Sequence, residues 1–279
     1  MQVLMNDLIK TLIKPRSPAS HKGDHGHALL VAGSEGKMGA AVIAARACLR
    51  AGAGLLTVCV PQRERQIIQL AIPEAMVLSG ETDAIDWNLY SAIGIGPGLG
   101  TKEGSKQVLV HVLNKAGGPV VLDADALNII AADNSLFAHI PNGSVLTPHP
   151  KEFDRLFGVH KNGEERMTTA IERARTHSII IVLKEQGTVV TSGGEAFINT
   201  TGNAGLAKGG SGDALTGIIT AFAAGGYTPF DAARLGVYIH GLAADKALQK
   251  QSLESMLITD VIECLGEAFK ETLKHVPIA

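Results

Sequence analysis

Short apolar segments alternate with segments of helical periodicity along most of the chain. Residues 27–32 (HALLVA), 55–60 (LLTVCV) and 178–183 (SIIIVL) are continuous apolar runs of strand length. Strands that are apolar on both faces are typical of parallel sheets that helices cover on both sides. The pattern therefore predicts an α/β fold with a mainly parallel central sheet and helices on both faces.

The same pattern predicts the individual elements. Predicted strands lie at residues 27–32, 55–60, 75–78, 92–96, 119–123, 144–147 and 178–183, and predicted helices at 39–49, 105–115, 163–177, 213–224, 229–249 and 256–275. Residues 187–200 have the pattern of a hairpin, with Gly193 and Gly194 as its turn. No linker or internal repeat divides the chain, so we expect one domain over residues 1–279, with residues 1–20 as an N-terminal extension.

Glycine and polar clusters follow the predicted strands. They occupy residues 33–39, 96–100, 123–128, 147–152 and 184–188. In open α/β sheets, ligands bind outside the carboxyl ends of the strands. The clusters therefore predict a ligand site at that edge of the sheet.

Composition narrows the class of protein. Hydrophobic residues make up 46% of the chain and charged residues 19%, which excludes a disordered chain. The net charge of −2 argues against nucleic acid or an anionic membrane as a partner. The N-terminus lacks the features of a signal peptide, and Cys48, Cys59 and Cys264 lie in apolar surroundings without metal or redox spacing. We expect a soluble cytoplasmic protein without disulfides.

The strongest chemical motif is a glycine-rich loop that leads directly into a predicted helix. The loop consists of Gly209, Gly210, Ser211 and Gly212, and Asp213 follows it. Free amides at a helix start attract anions, and glycine lets a phosphate approach the backbone. Two interpretations of Asp213 remain open here: an N-cap that bonds the backbone, or a general base for a hydroxyl that faces the phosphate.

Other polar residues at strand ends have both structural and functional interpretations. Lys184 could be a phosphate counter-charge or a solvated lysine, and His149, between two prolines in TPHP, could bind a ligand or hold a turn. Asp123 and Asp125 could cap a helix or contact a ribose or magnesium. The sequence contains no GxxxxGK[ST], GxGxxG, HExxH or GxSxG motif, which argues against the enzyme classes that carry them.

Taken in order, these motifs resemble those of one family. The segments HKGDHGHALLVAGS, MGAA, IGIGPGLG, LDADALN, LTPHPKEF, VLKEQGT and NAGLAKGGSGDALTG are similar to the ADP/ATP-dependent NAD(P)H-hydrate dehydratases of the ribokinase-like superfamily. The resemblance runs from about residue 21 to about residue 240. It implies a lyase of metabolite repair, which uses ADP or ATP, with Mg²⁺, to remove water from hydrated NADH or NADPH.

The resemblance also implies roles for individual residues. Asp213 would be the catalytic base on the C6 hydroxyl of the hydrated nicotinamide ring. Substrate contacts are expected at Ala40, Ala41, Gly98, His149 and Asp213, and nucleotide contacts at Lys184, Glu185, Gln186, Gly187, Thr188, Asn203, Gly209, Gly210, Ser211 and Gly212. No residue is identified as a metal ligand. Three residues depart from the family pattern. Glu185 and Lys151 occupy positions where the family more often has glycine, and Ser211 occupies a position where threonine is usual. Glu185 would add negative charge beside the nucleotide.

Two alternatives use the same motifs. A kinase of a small alcohol, of the thiamine-precursor type, would need the same glycine loop and aspartate, and a nucleotide-binding regulator would need only the loop. Members of this superfamily often form homo-oligomers, which we expect here. Some relatives carry a fused epimerase domain; only about twenty residues precede HKG, so we expect any epimerase to be a separate chain.

Overall fold

The computed structural model describes residues 1–79 and 85–274 and contains a ten-stranded sheet. Its strands are β1 (Gln2–Leu4), β2 (His27–Val31), β3 (Leu55–Val60), β4 (Met76–Ser79), β5 (Ala92–Ile95), β6 (Val120–Leu122), β7 (Val145–Leu146), β8 (Ile180–Leu183), β9 (Val189–Thr191) and β10 (Ala196–Asn199). Their order across the sheet is β1-β10-β9-β8-β7-β6-β5-β2-β3-β4. Only β9 pairs antiparallel with its neighbours, and the other pairings are parallel.

This strand order places a topological switch point between β2 and β5. The chain runs outward from β2 through β3 to β4, and then crosses to β5 on the other side of β2. Loops that follow the two strands at a switch point diverge and leave a crevice, where ligands of such folds bind. The glycine clusters after β2 and β5 therefore border this crevice.

Eleven α-helices in the described part of the chain accompany the sheet. They are α1 (Asn6–Leu12), α2 (Met38–Arg50), α3 (Arg65–Ala71), α4 (Glu103–Lys115), α5 (Ala124–Ala132), α6 (Pro150–Phe157), α7 (Gly163–His177), α8 (Ser211–Ala224), α9 (Pro229–Ala247), α10 (Ile258–Glu263) and α11 (Leu265–Thr272). Helices α2 and α8 lie very close together, because a Cβ on Gly217 would be 2.0 Å from the carbonyl oxygen of Ala44. This close packing fixes the helix that carries the glycine-rich loop.

The strands bury both of their faces, as their continuous apolar sequences predict. Along β2, Leu30 joins the core on the face covered by α2, α8 and α9, whereas Leu29 joins the core that packs with α4 and α5. Along β8, Val182 joins the first of these cores and Ile181 joins the second. Because side chains alternate along a strand, each strand contributes to both cores. The predicted layer architecture is confirmed.

Most predicted elements form close to their expected positions, including the hairpin of β9 and β10. The single helix predicted over residues 256–275 is wrong: α10 and α11 are separated at Cys264, whose side chain is buried, and Gly266, a poor helix former, follows the break. Position 275 of that prediction lies outside the described residues. The sequence pattern did not predict β1, α1, α3, α5 and α6.

Two expectations about the class of protein can be compared with the fold. The three cysteines are buried, in keeping with their apolar surroundings in the sequence. Within residues 1–79 and 85–274, no helix has both the length and the apolar character that crossing a membrane requires.

Candidate active site

Asp213 lies in the first turn of α8, and it is not the residue that caps the helix. The N-cap is Gly210, in a left-handed conformation with φ of 95°, and Ser211 is the first helical residue. The Asp213 carboxylate is partly buried and makes no hydrogen bond or ion pair with any other residue that the structure describes. The N-cap interpretation of Asp213 is therefore wrong, and its carboxylate is available for chemistry.

The surroundings of Asp213 make its carboxyl group a stronger base than an ordinary aspartate. Burial raises the pKa of Asp213 to about 6, with a further contribution from the negative charge of Asp123, while Lys184 opposes the shift. Asp125 and Glu152 act in the same direction as Asp123. A carboxylate with this pKa is ionised at neutral pH and accepts a proton more readily than an exposed one.

A buried ion pair lies beneath the start of α8. Asp123 follows β6 and is 1% exposed. Its Oδ1 accepts hydrogen bonds from Lys184 Nζ at 2.7 Å and from the Thr147 hydroxyl at 2.7 Å, and its Oδ2 accepts from the Thr216 hydroxyl at 2.8 Å. Burial alone would raise the pKa of Asp123, but the charge of Lys184 and the three hydrogen bonds hold it below its usual value.

The glycine-rich loop lies directly against this ion pair. A Cβ added to Gly212 would be 3.1 Å from Lys184 Nζ and 3.5 Å from Asp123 Oδ2. The Lys184 side chain is 20% exposed. The backbone amides at the start of α8 and the ammonium group of Lys184 thus converge on one small region beside Asp213, which suits an anion.

His149 caps α6 at the carboxyl end of β7. Its Nδ1 accepts hydrogen bonds from the amides of Lys151 at 3.1 Å and Glu152 at 3.2 Å, and its Nε2 lies 3.3 Å from Glu152 Oε1. The ring therefore carries its proton on Nε2. Burial lowers the pKa of His149, and Lys184 adds to this effect, although Glu152 opposes it. The ring is neutral at physiological pH, with 44% of the side chain exposed.

The two loops at the switch point are pressed together. Gly98 has φ of 61°, and its carbonyl accepts a hydrogen bond from the Ser34 hydroxyl at 2.7 Å. A Cβ on Gly98 would lie 2.9 Å from the Cβ of Ala40, so these two predicted substrate residues are neighbours. Two adjacent alanines were predicted to contact the substrate. Ala41 is fully buried, so of Ala40 and Ala41 only Ala40 has a side chain that reaches the surface.

Residues 184–188 connect β8 to β9, and the charge of Glu185 is compensated. Arg166 of α7 donates to Glu185 Oε1 at 3.1 Å and also forms two hydrogen bonds with Asp154. The Thr188 hydroxyl donates to the carbonyl of Glu185 at 3.3 Å and closes the turn that contains Gln186 and Gly187. The Glu185 carboxylate therefore belongs to an ion-pair cluster with α7.

Asn203 lies on the chain that leads from β10 to the glycine-rich loop. Its Oδ1 accepts a hydrogen bond from the amide of Gly205 at 3.0 Å and caps a short 3₁₀ helix over Ala204–Leu206. Its Nδ2 donates to Asp245 of α9 at 3.0 Å. Asn203, a predicted nucleotide contact, is therefore held in place by helix α9, which contains none of the sequence motifs.

Three carboxylates and one ammonium group make up the centre of the site: Asp123, Glu152, Asp213 and Lys184. This excess of negative charge favours a divalent cation that arrives together with a phosphate. In the described part of the chain, however, no group of three or more His, Cys, Asp or Glu side chains is arranged to hold a metal ion. The residues fit Mg²⁺ only when phosphate oxygens complete its coordination, which is the usual case for nucleotide-bound Mg²⁺.

The sequence motifs did not indicate several residues of the site. Thr147 directly follows β7, and Thr216 lies one helical turn after Asp213, so both spacings could have indicated them. No catalytic or binding role was predicted for Glu152, although it lies in the polar cluster of residues 147–152. Asp245 lies in the last turn of the long helix α9, and no local signal links it to the loop.

A cavity of about 810 Å³ lies elsewhere, at the opposite ends of α2 and α8. Arg16 and Lys14 border it, and both donate to backbone carbonyls there, of Gly52 and Gly226 respectively. These cations therefore satisfy carbonyls just beyond the carboxyl ends of two helices. The convergent polar groups are at the other end of the molecule, around Asp213.

Comparisons with known proteins agree on one family. The family model described as NAD(P)H-hydrate dehydratase matches residues 28–266. The bifunctional NAD(P)H-hydrate repair enzyme Nnr of Moorella thermoacetica is 38% identical over 279 residues, which cover 94% of this chain and 53% of that protein. The chain thus spans about half the length of the bifunctional relatives that it matches.

Relatives of similar length give the same result. The ADP-dependent (S)-NAD(P)H-hydrate dehydratase of Bacillus subtilis is 36% identical over 94% of this chain and 95% of its own length. The crystal structure of the ADP/ATP-dependent NAD(P)H-hydrate dehydratase of Bacillus subtilis, co-crystallised with ATP and Mg²⁺, superimposes with a TM-score of 0.89 at 33% identity and covers 97% of this chain and 98% of that one. The predicted ribokinase-like α/β class is confirmed. The chain belongs to the NAD(P)H-hydrate dehydratase family.

Proposed function

We propose that this protein removes water from hydrated NADH or NADPH at the expense of ADP or ATP. The observation that carries the proposal is the Asp213 carboxylate, which has a raised pKa and no hydrogen-bonding partner in the described chain, next to the amides of the glycine-rich loop. An aspartate that capped the helix would accept a hydrogen bond from its backbone. This one is poised to accept a proton from a bound hydroxyl.

In the first step, the hydroxyl on C6 of the hydrated ring attacks the terminal phosphoryl group of the nucleotide. Asp213 accepts the hydroxyl proton, a new O–P bond forms, and the bond from phosphorus to the nucleotide breaks. The products are the phosphorylated hydrate and AMP from ADP, or ADP from ATP. Amides of Gly212 and its neighbours, with Lys184, stabilise the negative charge on the phosphoryl group.

In the second step, phosphate leaves from C6 with the electrons of the C–O bond. The lone pair of the ring nitrogen drives this departure, and loss of a proton from C5 then restores the C5–C6 double bond. Hydroxide is a poor leaving group and phosphate a good one, so the nucleotide makes the elimination feasible. The reaction consumes one phosphoryl group for each coenzyme molecule restored.

Mg²⁺ would neutralise phosphate charge when bound with the nucleotide. Of the carboxylates in the negatively charged centre described above, Asp213 has no hydrogen-bond partner in the described chain, whereas Glu152 Oε2 already accepts a hydrogen bond from the amide of His149 at 2.9 Å. Asp123 is less suited, because Lys184, Thr147 and Thr216 already occupy its two oxygens.

On the substrate side, we propose that Ala40, Gly98 and His149 contact the hydrated coenzyme. Gly98 and Ala40 adjoin at the switch-point crevice, where ligands of such folds bind. The neutral His149 ring presents an N–H donor from the end of β7, which is separated from β5 by β6. On the other side, residues 184–188, Asn203 and residues 209–212 would bind the nucleotide.

The experiment that tests this function combines purified protein, Mg²⁺, hydrated NADH and either ADP or ATP. We expect the absorbance of NADH to return, with one inorganic phosphate released per coenzyme, and no change when the nucleotide is omitted. The Asp213→Asn variant is the control, because it keeps the shape of the side chain and cannot act as a base. Hydrated NADH that stays unchanged, or full activity in that variant, would contradict the proposal.

The same assay separates the dehydratase from a small-alcohol kinase. A kinase would leave a stable phosphorylated alcohol and release no inorganic phosphate. Phosphorylation of thiamine precursors, without turnover of hydrated NADH, would favour that alternative.

A further inference from the structure

The segment that follows β10 lies directly on helix α9. The Thr201 hydroxyl donates to the carbonyl of Tyr238 at 2.9 Å. Gly241 allows this approach, because a Cβ at that position would be 2.3 Å from the Thr201 hydroxyl oxygen and 2.6 Å from its carbonyl oxygen. The route of the chain toward the glycine-rich loop is therefore set by the surface of α9.

Asp245 holds this segment with both carboxylate oxygens. Its Oδ2 accepts a hydrogen bond from the amide of Gly202 at 2.9 Å, and its Oδ1 accepts from Asn203 Nδ2 at 3.0 Å. Asp245 forms no ion pair with the other residues that the structure describes. Because a charged acceptor makes a stronger hydrogen bond than a neutral one, this arrangement fixes which side of the Asn203 amide faces the helix.

The orientation of Asn203 is passed along the chain. With Nδ2 turned to Asp245, Oδ1 faces the amide of Gly205 and caps the short helix that precedes the loop. At the far end of that helix, Lys208 donates to the carbonyls of Glu254 and Met256. The six residues before Gly209 are thus held at both ends, by Asp245 and by Lys208.

We propose that Asp245 is a positioning residue for the nucleotide: it acts through Asn203 and sets the approach of residues 209–212 to the phosphates. This inference rests on the proposed function, because it takes Asn203 and the glycine-rich loop as the nucleotide site. Asp245 itself need not touch the nucleotide. Its carboxylate determines the direction in which Asn203 presents its amide.

Asp245→Asn tests the proposal with little change in shape. An amide at position 245 can still accept from Gly202, but its NH₂ group then faces the NH₂ group of Asn203. Relief of that conflict turns the Asn203 amide over and removes the cap on Gly205. We expect the KM for ADP or ATP to rise about tenfold, with kcat and the KM for hydrated NADH changed by less than about threefold.

The proposal also predicts that Asp245 and Asn203 act as one unit. Asn203→Ala should raise the nucleotide KM about tenfold, and the variant with both changes should show about the same tenfold rise. A rise of about a hundredfold would mean two independent contributions and would overturn the positioning role. If Asp245→Asn does not fold, an unchanged nucleotide KM in Asn203→Ala would overturn it as well.

Asp231→Asn is the matched control, since Asp231 lies in the first turn of the same helix, caps it with Thr228 and pairs with Arg234. It should lower the melting temperature without a change in nucleotide KM. If Asp245→Asn also lowers the melting temperature and leaves the nucleotide KM unchanged, Asp245 only stabilises the fold and the positioning role is overturned. Calorimetric titration with ADP separates failure of this inference from failure of the proposed function, because it measures nucleotide affinity without turnover.

Discussion

The Nζ atom of Lys184 lies 2.7 Å from Oδ1 of Asp123, and Asp123 is almost completely buried. Lys184 directly follows β8 and Asp123 directly follows β6, so the pair joins two strand ends across β7. Thr216 adds α8 to the same group through Asp123 Oδ2. One buried carboxylate therefore connects the sheet to the helix that carries Asp213.

Removal of one partner of this pair should be costly. We expect Asp123→Ala to lower the free energy of unfolding by about 3 to 5 kcal/mol, because it leaves the Lys184 charge without its carboxylate. The double variant Asp123→Ala/Lys184→Met should lose much less than the sum of the single variants. Urea denaturation measures both values, and strict additivity would contradict the account.

The exposed ion pair between Arg50 and Glu263 provides the control for that cycle. Its side chains are 55% and 52% exposed and lie 2.7 Å apart, the same distance as in the buried pair. Because solvent screens such pairs, Glu263→Gln should change the free energy of unfolding by less than about 1 kcal/mol.

Asp213→Asn should stabilise the protein while it abolishes turnover. The pKa of Asp213 is raised to about 6 in the folded state, so ionisation of this group opposes folding. The gain should be on the order of 1–2 kcal/mol, or a few degrees in Tm, since partial exposure reduces the full effect of the shift. Thermal melts of both proteins at neutral pH measure it.

The pH dependence of that gain has a definite sign. Above the folded pKa of about 6 the wild-type carboxylate is ionised, and the destabilisation is complete. Below the ordinary aspartate pKa of about 3.9, Asp213 is protonated in both the folded and the unfolded wild-type protein. The difference in stability between the wild type and the Asp213→Asn variant therefore vanishes. A gap in Tm that grows as the pH falls would contradict the assignment.

Gly98→Ala should weaken binding of the hydrated coenzyme and leave nucleotide binding unchanged. The new Cβ would meet the carbonyl oxygen of Lys37 at 2.7 Å and the Cβ of Ala40 at 2.9 Å, at a φ of 61°. The two switch-point loops must then move apart. Steady-state kinetics should show a KM for hydrated NADH raised about tenfold or more.

Gly104→Ala is the matched control, because Gly104 lies in α4 and a Cβ there meets nothing within 4 Å. It should leave both KM values unchanged and stabilise the protein by about 0.5–1 kcal/mol. An equal effect of both substitutions on the coenzyme KM would remove Gly98 from the site.

Glu185→Gln should change the nucleotide KM by less than about twofold, because Arg166 holds this carboxylate in the ion-pair cluster with α7. Arg166→Gln should raise the nucleotide KM, since it releases the Glu185 charge beside the proposed site. Measurements at low and high salt check the cause: the effect of Arg166→Gln should shrink as salt screens the charge. An effect of Glu185→Gln alone would show that Glu185 acts on the nucleotide directly.

The sequence was most informative where local pattern and function coincide. The buried strands, the hairpin and the glycine-rich loop follow from apolar runs and from glycine spacing, and α7 begins and ends where periodicity predicts. The helices α5 and α6 were missed because their first residues belong to motifs that look like loops. The break at Cys264 depends on packing between α9, α10 and α11, which a single periodic pattern does not contain.

Within the site, the sequence indicated residues next to glycine motifs and missed those that act across the fold. Asp123 was indicated, but its partners Thr147 and Thr216 were not, because the three residues lie far apart along the chain and meet only when strands β6 and β7 and helix α8 assemble. The contact between Asp245 and Asn203 spans 42 positions. Such partners are set by tertiary packing, so no local spacing predicts them.

The central claim is that an alcohol oxygen and a phosphoryl group meet beside Asp213. Hydrated NADH labelled with oxygen-18 in its C6 hydroxyl group tests this most directly, in a single turnover with ADP or ATP, followed by mass spectrometry of the products. The account predicts that the label is found in the inorganic phosphate, because the hydroxyl oxygen leaves C6 already bonded to phosphorus. Recovery of the label in water, with unlabelled phosphate, would contradict it.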